Sequence, residues 1–524
     1  MELTSEQKQI LTTCKNMQRN ESLKIDACAG SGKTWILTQI AKAFPQEKFL
    51  YLAFNKAIVE DATAKFGSNV TVKTTHSLAY SRICDRRTKI VGKLNAFNLK
   101  TVLDLPVNEL NRLLLVFNNY LNSDAEKPYQ EIVPIIDAVH SGRLPMTHSF
   151  YLKEYQLLST EDKGLDKYDW ILLDEAQDTN AVTLAIFNDN NCKKIAVGDS
   201  QQSIYAFRGA INALLKINTT YNCKLSCSFR CEAKIISQVN WMLKQNSYQD
   251  SFPLTSEAQP HDDRAHAYIS RTNSCLIGIL ASFDENTDLQ RIRLLKDPDS
   301  LFKACLNIRK LDSRKKKKDF DPEYKYLENF SSLKELHDYL NDEDTNDSEL
   351  QTAYNIFKTY ERRLDELYDL ATELYSHKTG DIYLCNAHVS KGLQFHEVTL
   401  LEDFPDLQEL LKKCRESKLD EDELCQEFDL YYVALTRCKS VLHNKTRNYR
   451  KFLQDFPELD EGANDYSLNS SGESISSENE SETDNHLKKI QFDNQVYLLE
   501  DDRHFHFLQK YLQKYGKKEN AVMQ

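Results

Sequence analysis

A glycine-rich segment near the N-terminus constrains the fold of this chain more than any other feature. Residues 27–34 read ACAGSGKT; they follow the alternating stretch 23–27 and precede a helical pattern over 33–44, which predicts a strand, a loop and a helix. Glycines let backbone N–H groups curl around an anion at the positive end of a helix. We therefore expect a nucleoside triphosphate here, with Lys33 on the β- and γ-phosphates and the Thr34 hydroxyl on Mg²⁺.

A second segment supplies two adjacent carboxylates. Residues 170–173, WILL, predict a buried strand because the run is apolar without alternation, and Asp174 and Glu175 follow directly. The end of a strand beside a phosphate loop is where Mg²⁺ must be held, so we expect Asp174 to bind the metal and Glu175 to act as a general base. Two surface acids at a helix start would also favour the helix dipole, but that alternative leaves the apolar run unexplained.

These segments, with others in the same order, resemble the UvrD/Rep/PcrA-like helicases of superfamily 1 over roughly residues 3–444. The most specific match is 197–210, VGDSQQSIYAFRGA. The other matching segments are 3–7 (LTSEQ), 51–57 (YLAFNKA), 74–77 (TTHS), 225–230 (LSCSFR), 388–395 (HVSKGLQF) and 432–437 (YVALTR). Within the family, segments 54–57 (FNKA), 75–80 (THSLAY) and 401–404 (LEDF) most resemble the eukaryotic F-box DNA helicases. Because the helicase motifs begin at Leu3, we expect no F-box and carry over no ubiquitin-ligase role.

The resemblance implies an α/β fold with two RecA-like P-loop NTPase cores, each with a mainly helical insertion. Apolar residues at helical spacing in 103–122 and 350–374 fit such insertions. Residues 458–485 are rich in Ser, Asn and acids, which predicts disorder, and a small helix is expected over 505–515. The expected domains are the first core (1–83 and 167–222), its insertion (84–166), the second core (223–282 and 379–457), its insertion (283–378), a disordered acidic linker (458–485) and a short C-terminal segment (486–524).

By resemblance, residues outside the first two motifs also handle ATP. Gln7 reads the adenine, Phe229 stacks on it, and Gln202 senses the γ-phosphate. Arg230 and Arg437 bring positive charge to the γ-phosphate, as arginine fingers do. The implied catalytic set is Asp174, Glu175, Gln202, Arg230 and Arg437, and the implied Mg²⁺ ligands are Thr34 and Asp174. The implied ATP-binding set is Gln7, Ala27, Gly30, Ser31, Gly32, Lys33, Thr34, Arg208, Phe229 and Gln394.

Four positions depart from the usual family pattern. Ala27 replaces the first glycine of the loop, and Gln394 stands where the family usually has Glu. Cys438 replaces a usual Ala, and Asp429 a usual basic or amide residue. None of these changes removes a phosphate-handling group, so an active enzyme is expected.

The resemblance also implies contacts to DNA. Aromatic faces stack on any base, at ~1–3 kcal/mol each, which gives a grip independent of sequence. Phe54 could equally be a core residue, and His76 a loop histidine with satisfied hydrogen bonds, so both alternatives stay open. The implied DNA-binding set is Phe54, Asn55, His76, Tyr205, Phe207 and Lys391.

The function implied by the resemblance is an ATP-dependent DNA helicase or translocase that moves 3′ to 5′ on single-stranded DNA and meets duplex junctions, in DNA repair, recombination or replication. The alternative is a nucleotide-gated nucleic-acid-binding regulator without productive unwinding. Loss of Glu175, Arg230 or Arg437 would favour the regulator, and all three are present. The C-terminal tail could dock a protein partner.

The formal charge of −12 is unusual for a DNA-binding protein, but nine of the acids lie in 458–485, which has no Lys or Arg; the rest of the chain carries −3. Local basic surface can then supply the grip on phosphates. Two basic clusters are candidates: Arg82, Arg86, Arg87, Lys89 and Lys93 form the first, and the run 314–318 forms the second. Each cluster could instead be a solvated face, and the second could also be a nuclear-import signal.

Thirteen cysteines without regular spacing favour a reducing compartment. No apolar run reaches the ~18 residues of a membrane span, and the polar N-terminus predicts no secretory signal. We therefore expect a soluble intracellular protein, nuclear if eukaryotic. Cys223, Cys227 and Cys231 recur every four residues, but structural zinc needs four ligands, so buried thiols are favoured over a metal site.

Overall fold

The chain forms two compact units: residues 1–259 with 411–432, and residues 260–410 with 433–524. Parallel sheets and many helices make it a mixed α/β protein, which confirms the predicted class at that level. No helix within the described ranges is both long enough and apolar enough to cross a membrane. The computed structural model describes residues 3–206, 209–259, 264–312, 320–341, 348–459, 488–492 and 495–499.

The strands are β1 (Ser22–Ala27), β2 (Phe49–Ala53), β3 (Val70–Thr74), β4 (Ile90–Val91), β5 (Met146–Thr147), β6 (Trp170–Leu173), β7 (Lys193–Gly198), β8 (Tyr221–Leu225), β9 (Cys227–Ser228), β10 (Thr255–Ser256), β11 (His266–Ser270), β12 (Ile292–Leu294), β13 (Ile382–Asn386), β14 (Phe395–Leu400), β15 (Cys438–Asn444), β16 (Lys488–Phe492) and β17 (Gln495–Leu499).

The helices are α1 (Ser5–Asn16), α2 (Lys33–Ala43), α3 (Lys56–Lys65), α4 (Thr75–Ile83), α5 (Ala96–Lys100), α6 (Val107–Asn122), α7 (Val133–His140), α8 (His148–Leu157), α9 (Thr160–Lys163), α10 (Ala181–Asn188), α11 (Ala213–Lys216), α12 (Ala233–Gln245), α13 (Asn273–Ser282), α14 (Pro298–Asp312), α15 (Leu333–Leu340), α16 (Ser348–Tyr360), α17 (Leu364–Ser376), α18 (Ala387–Ser390), α19 (Leu407–Arg415), α20 (Glu421–Leu435) and α21 (Arg447–Asp455). Short 3-10 helices include Ala176–Asp178, Ser200–Gln202, Glu361–Arg363 and Pro457–Leu459.

The first unit is built on a six-stranded parallel sheet with the order β3-β2-β6-β7-β1-β8. Every residue of β6 is buried, as parallel strands covered on both faces require. Trp170 and Leu172 pack with α1, α2 and α3, whereas Ile171 and Leu173 pack with α4, α8 and α10. Since β6, β7 and β1 are neighbours, the residues that follow them meet at one edge of the sheet.

The position of β8 differs from the predicted division of the chain. The predicted boundary between the cores follows residue 222, within β8, yet all five residues of β8 pair with β1. Cys223 and Leu225 pack into the core of the first sheet, and the first unit continues through α12 to Gln259. The unit therefore extends further along the chain than the predicted first core, because β8 completes the edge of its sheet.

Residues 84–166, predicted as a helical insertion, contain α5 to α9 and the short parallel pair of β4 and β5. Helix α8 is tied to the chain after α6 by a buried cation. The Lys153 ammonium donates to the carbonyl of Ser123 (3.0 Å), to Oε1 of Gln156 (2.7 Å) and to the carbonyl of Ala125. Lys153 is fully buried, so these oxygens replace water around its charge.

The second unit contains a five-stranded parallel sheet with the order β12-β13-β11-β14-β15. Its core is completed by α13, α14, α16 and α17. The apolar stripe predicted over 350–374 is core, since Ile356, Tyr360, Leu364 and Leu367 are buried there, although a 3-10 turn separates α16 from α17.

Beyond residue 459, β16 and β17 are described as an antiparallel pair. The first two residues of the predicted acidic linker belong to the 3-10 helix Pro457–Leu459. Residues 460–485, the helix predicted over 505–515 and the basic run 314–318 lie outside the described residues.

Candidate functional site

The glycine-rich loop connects β1 to α2, as the sequence pattern predicts. Gly30 (φ +76°) and Gly32 (φ +82°) both adopt the left-handed conformation that favours glycine. The Lys33 ammonium folds back and donates to the carbonyls of Ala27 (3.2 Å) and Cys28 (3.4 Å). The result is a curled backbone with a cation bonded to it.

The chain after β8 packs directly against this loop. Phe229 N–H donates to the carbonyl of Gly30 (3.0 Å), and the Ser228 hydroxyl donates to the carbonyl of Ala29 (2.8 Å). A Cβ added to Gly30 would overlap Cβ of Arg230, so only glycine fits at this close approach. The structure thus brings two residues predicted to handle ATP, Phe229 and Arg230, beside the phosphate loop.

Helix α1 reaches the same segment. The Glu6 carboxylate accepts from the backbone N–H (2.9 Å) and the hydroxyl (2.7 Å) of Ser226. Gln7, predicted to read adenine, is buried and forms a capping box with Thr4, in which its Oε1 accepts from Thr4 N–H (3.1 Å). That bond fixes the oxygen of the Gln7 carboxamide at the N-terminus of α1.

Asp174 lies buried at the end of β6, where the sequence predicts a metal ligand. It accepts a hydrogen bond from the Tyr51 hydroxyl and another from the backbone N–H of Glu175 (2.9 Å). Burial and the neighbouring Glu175 carboxylate raise the pKa of Asp174, while the Lys33 charge acts in the opposite direction. A buried carboxylate near a lysine is a suitable partner for a hard cation such as Mg²⁺.

Glu175 has a left-handed backbone (φ +51°), which is strained for a side chain of this kind. Its Oε2 accepts from Nε2 of Gln177 (2.7 Å), and Oε1 of Gln177 accepts from the backbone N–H of Asp199 (3.1 Å). Glycine is needed at position 198, where the backbone passes the Gln177 side chain, because a Cβ there would overlap the Gln177 oxygen. Gln177 therefore links the predicted general base to the end of β7.

Asp199 is a buried centre of this network. Its Oδ2 accepts from Nε2 of Gln202 (2.6 Å) and from the hydroxyl of Tyr432 (3.0 Å). The same hydroxyl accepts the backbone N–H of Ala29 in the phosphate loop (3.1 Å). Burial raises the pKa of Asp199, and the positive charge of Lys33 opposes that shift.

Sequence reasoning missed the connecting residues of this network. Tyr432 begins the matching segment 432–437, and Gln177 follows Glu175 by two residues, but nothing in their spacing assigns their hydrogen bonds. Tyr51 opens the matching segment 51–57, but the resemblance assigns it no contact with Asp174. Asp429, noted as a departure from the family, is buried on α20 and accepts from the Ser203 N–H (3.2 Å), so it has a local structural role.

A cavity of about 180 Å³ opens beside Asp174 and Asp178 in the first unit. The rings of Phe54 and Tyr205 are nearly parallel there, 6° apart in plane and 6.0 Å between centroids. Phe54 is 41 % exposed, so the core alternative does not describe it. His76 also lines this cavity, which extends to Asp174.

Asn55, a predicted DNA contact, has a structural role at the start of a helix. Asn55 caps α3 through its Oδ1, which accepts from the Ile58 N–H (2.9 Å). Phe207 and Arg208 lie outside the described residues, so their predicted roles have no structural description.

The remaining predicted residues belong to the second unit. Lys391 follows α18, and Gln394 is exposed just before β14. Arg437 is buried; its guanidinium donates to the carbonyls of Val433 (2.8 Å) and Leu393 (3.1 Å) and to the Thr436 hydroxyl (3.0 Å). Arg437 thus fixes the loop that carries Gln394.

Cys223, Cys227 and Cys231 are buried and form no disulfide within the described part of the chain. Among the described residues, no group of three or more His, Cys, Asp or Glu side chains is arranged to hold a metal ion.

Comparison with known proteins agrees with this geometry. Residues 152–222, which include β6, β7 and the segment joining them, match the family model described as the UvrD/REP helicase N-terminal domain. The predicted resemblance to UvrD-like helicases of superfamily 1 is therefore confirmed.

Particular relatives extend the similarity beyond that segment. The chain is 27% identical over 510 residues to F-box DNA helicase protein 1 of Schizosaccharomyces pombe, with 84% of this chain and 57% of the relative covered. It is 28% identical over 521 residues to F-box DNA helicase 1 of Gallus gallus, covering 84% and 49%. It is 25% identical over 280 residues to the ATP-dependent DNA helicase PcrA of Leuconostoc citreum, covering 43% and 37%. The chain spans about half the length of the two F-box helicases.

Proposed function

We propose that this protein is an ATP-dependent DNA helicase that moves 3′ to 5′ on single-stranded DNA. One observation carries the proposal: the phosphate loop, the pair Asp174–Glu175 and Gln202 follow three neighbouring strands and are joined by one hydrogen-bonded network. Phosphoryl transfer to water requires a phosphate cradle, a metal ligand and a base that orients the water, and each has a candidate here.

The residues fit ATP with Mg²⁺. The curled loop offers backbone N–H groups and the Lys33 charge to phosphates, and the Thr34 hydroxyl with the Asp174 carboxylate would hold the metal. Bound Mg²⁺ supplies charge neutralisation at the phosphate oxygens. Glu175 would accept the proton of the attacking water, with Gln177 fixing one carboxylate oxygen so that the other faces the water.

The adenine would lie between α1 and the segment after β8, because the Glu6–Ser226 bonds hold these two elements together. In this proposal Gln7 and Phe229 contact the base, and Arg230 reaches the γ-phosphate from its position beside Gly30. Arg208 and Gln394 complete the proposed ATP set.

We assign each parallel sheet to one RecA-like core, with residues 84–166 as the insertion of the first. Of the predicted second insertion, 283–378, strand β12 pairs with β13 in the second sheet, so we assign only the rest of that range to an insertion. Arg437 is proposed to bring positive charge to the γ-phosphate, as an arginine finger does. A conformational cycle gated by the γ-phosphate would then yield a step along DNA.

The DNA strand would cross the cavity beside Phe54 and Tyr205. Parallel rings already stacked on each other can open to admit a base, and stacking contributes ~1–3 kcal/mol for each base. His76 lines the same cavity, and Asn55, Phe207 and Lys391 are proposed to contact the strand elsewhere. We place this activity in DNA repair, recombination or replication.

One observation favours the alternative, a nucleotide-gated DNA-binding regulator. Arg437 donates to three groups of its own unit, so it must exchange some of these bonds before it can act on a phosphate. Strand displacement distinguishes the two functions.

The test uses duplexes with a 3′ or a 5′ single-stranded tail, with and without ATP and Mg²⁺. We expect displacement of the 3′-tailed duplex with ATP, and none with Lys33→Ala, which lacks the phosphate-neutralising cation. ATP hydrolysis without displacement of either duplex would support the regulator. DNA-stimulated hydrolysis by Lys33→Ala within a few-fold of the unmodified protein would overturn the phosphate-loop assignment.

A further inference from the structure

A tyrosine hydroxyl joins two parts of the site that lie far apart in sequence. The Tyr432 hydroxyl accepts from the Ala29 N–H (3.1 Å) and donates to Oδ2 of Asp199 (3.0 Å). Tyr432 is 1% exposed, and all three residues belong to the first unit. We call these two hydrogen bonds the Tyr432 bridge. One end of the bridge is Ala29 in the phosphate loop, and the other is Asp199, which follows β7.

The bridge acts on Gln202 through Asp199. Asp199 Oδ2 accepts from both Tyr432 and the carboxamide of Gln202, at 3.0 and 2.6 Å. The backbone N–H of Asp199 is in turn fixed by Gln177. Because Asp199 is only 2% exposed, water cannot readily replace a donor lost from its carboxylate. Tyr432 and Gln202 therefore share one acceptor oxygen, so the position of that oxygen bears on the direction of the Gln202 side chain.

We propose that Tyr432 is a positioning residue, whose hydroxyl holds the phosphate loop at Ala29 and, through Asp199, aligns Gln202 for the γ-phosphate. The inference rests on the proposed function, because Gln202 is assigned to the γ-phosphate there. The inference assigns to Tyr432, on α20, a part in the discrimination between ATP and ADP. The ADP complex has no γ-phosphate, so it depends on the loop but not on Gln202.

The test compares Tyr432→Phe with the unmodified protein by titration with a non-hydrolysable ATP analogue and with ADP, each with Mg²⁺. The substitution removes one oxygen and keeps the buried ring. We expect the affinity for the analogue to fall about tenfold, the effect of one lost buried hydrogen bond, and the affinity for ADP to fall less than about threefold.

A matched control is Tyr155→Phe. Tyr155 is also buried, and its hydroxyl donates to the carbonyl of Lys163 (2.9 Å), away from the phosphate loop. Removal of the Tyr155 hydroxyl should lower the unfolding temperature about as much as removal of the Tyr432 hydroxyl does. It should leave the ratio of the affinities for the ATP analogue and ADP unchanged. A merely structural role of Tyr432 would give the same result as this control.

Asp199→Asn changes the acceptor of the Tyr432 hydrogen bond instead of its donor. We expect it to lower the affinity ratio as well, and the double variant with Tyr432→Phe to show less than the sum of the two effects, since both act through one oxygen. Thermal unfolding verifies that each variant is folded.

An unchanged affinity ratio in folded Tyr432→Phe, in a protein that still hydrolyses ATP, would overturn this inference and leave the proposed function intact. Failure of the unmodified protein to bind either nucleotide would overturn both.

Discussion

At the residue scale, the candidate site depends on backbone conformations that few side chains tolerate. Gly30 and Gly32 are left-handed in the loop, and Gly198 passes against Gln177. Glu175, the proposed general base, adopts a left-handed conformation although it is not glycine. Strain of this kind, of order 1–3 kcal/mol, persists only where surrounding contacts enforce it. Here the bond from Gln177 to Glu175 is one such contact.

Glu175→Gln should separate binding from hydrolysis. The amide keeps an oxygen that can accept from Gln177, but it cannot take a proton from water, so we expect ATP binding to persist and kcat to fall by about 10²–10⁴. The ATP-bound variant should stay on single-stranded DNA longer than the unmodified protein. Single-turnover hydrolysis and nucleotide titration measure the two effects. Rapid hydrolysis by this variant would contradict the general-base role.

Arg437→Ala should slow hydrolysis by about 10³ or more if Arg437 acts as an arginine finger. Because the guanidinium also donates to Val433, Leu393 and Thr436, we expect a lower unfolding temperature as well. DNA affinity without nucleotide should change less than hydrolysis. Arg437→Lys retains the charge but not the planar fork and should recover little activity. If the loss of ATP hydrolysis in Arg437→Ala were no larger than the fraction of unfolded protein, Arg437 would have a structural role only.

At the element scale, short polar contacts determine where helices dock. Lys153 of α8 is an example, since its ammonium satisfies oxygens that follow α6 and one on its own helix. The apolar periodicity predicted over 103–122 accounts for the buried residues of α6 but does not reveal a buried lysine on α8.

Lys153→Met should lower the free energy of unfolding by about 2–4 kcal/mol, because it leaves buried carbonyl oxygens without a donor. Lys127→Met is the matched control: Lys127 is exposed, and a surface change of this kind stays within about 0.5 kcal/mol. Urea unfolding of both variants provides the comparison. Equal stability of the two would show that water satisfies the oxygens around Lys153.

At the scale of the whole molecule, the net charge opposes the proposed DNA binding only until the charge is divided along the chain. Nine acids lie in 458–485, whereas Arg82, Arg86, Arg87, Lys89 and Lys93 cluster in the first unit. Every motif of the proposed motor lies upstream of the acidic segment.

Deletion of residues 460–524 should leave ATP hydrolysis and unwinding intact. We expect the affinity for single-stranded DNA to rise, because a competing polyanion is removed, and the gain to shrink as salt is added, since counterion release dominates phosphate binding. Binding isotherms at several salt concentrations measure this effect. A folded truncated protein without ATP hydrolysis would place part of the motor in the deleted segment.

The sequence by itself determined the local features: the glycine-rich loop, the buried strand before Asp174, and the core stripe of α16 and α17. These features depend on residues close together in the chain, where composition and periodicity carry the information. The resemblance to UvrD-like helicases also follows from short segments in a fixed order.

Only the tertiary structure decided how those segments are joined. The bonds from Tyr51 to Asp174, from Gln177 to Asp199 and from Tyr432 to Ala29 span separations of 123, 22 and 403 residues. They depend on the order of strands in the sheet and on the packing of α20, neither of which local periodicity encodes. The predicted domain boundary at residue 222 falls within β8 for the same reason. The pairing of β8 with β1 is a long-range contact that local sequence does not indicate.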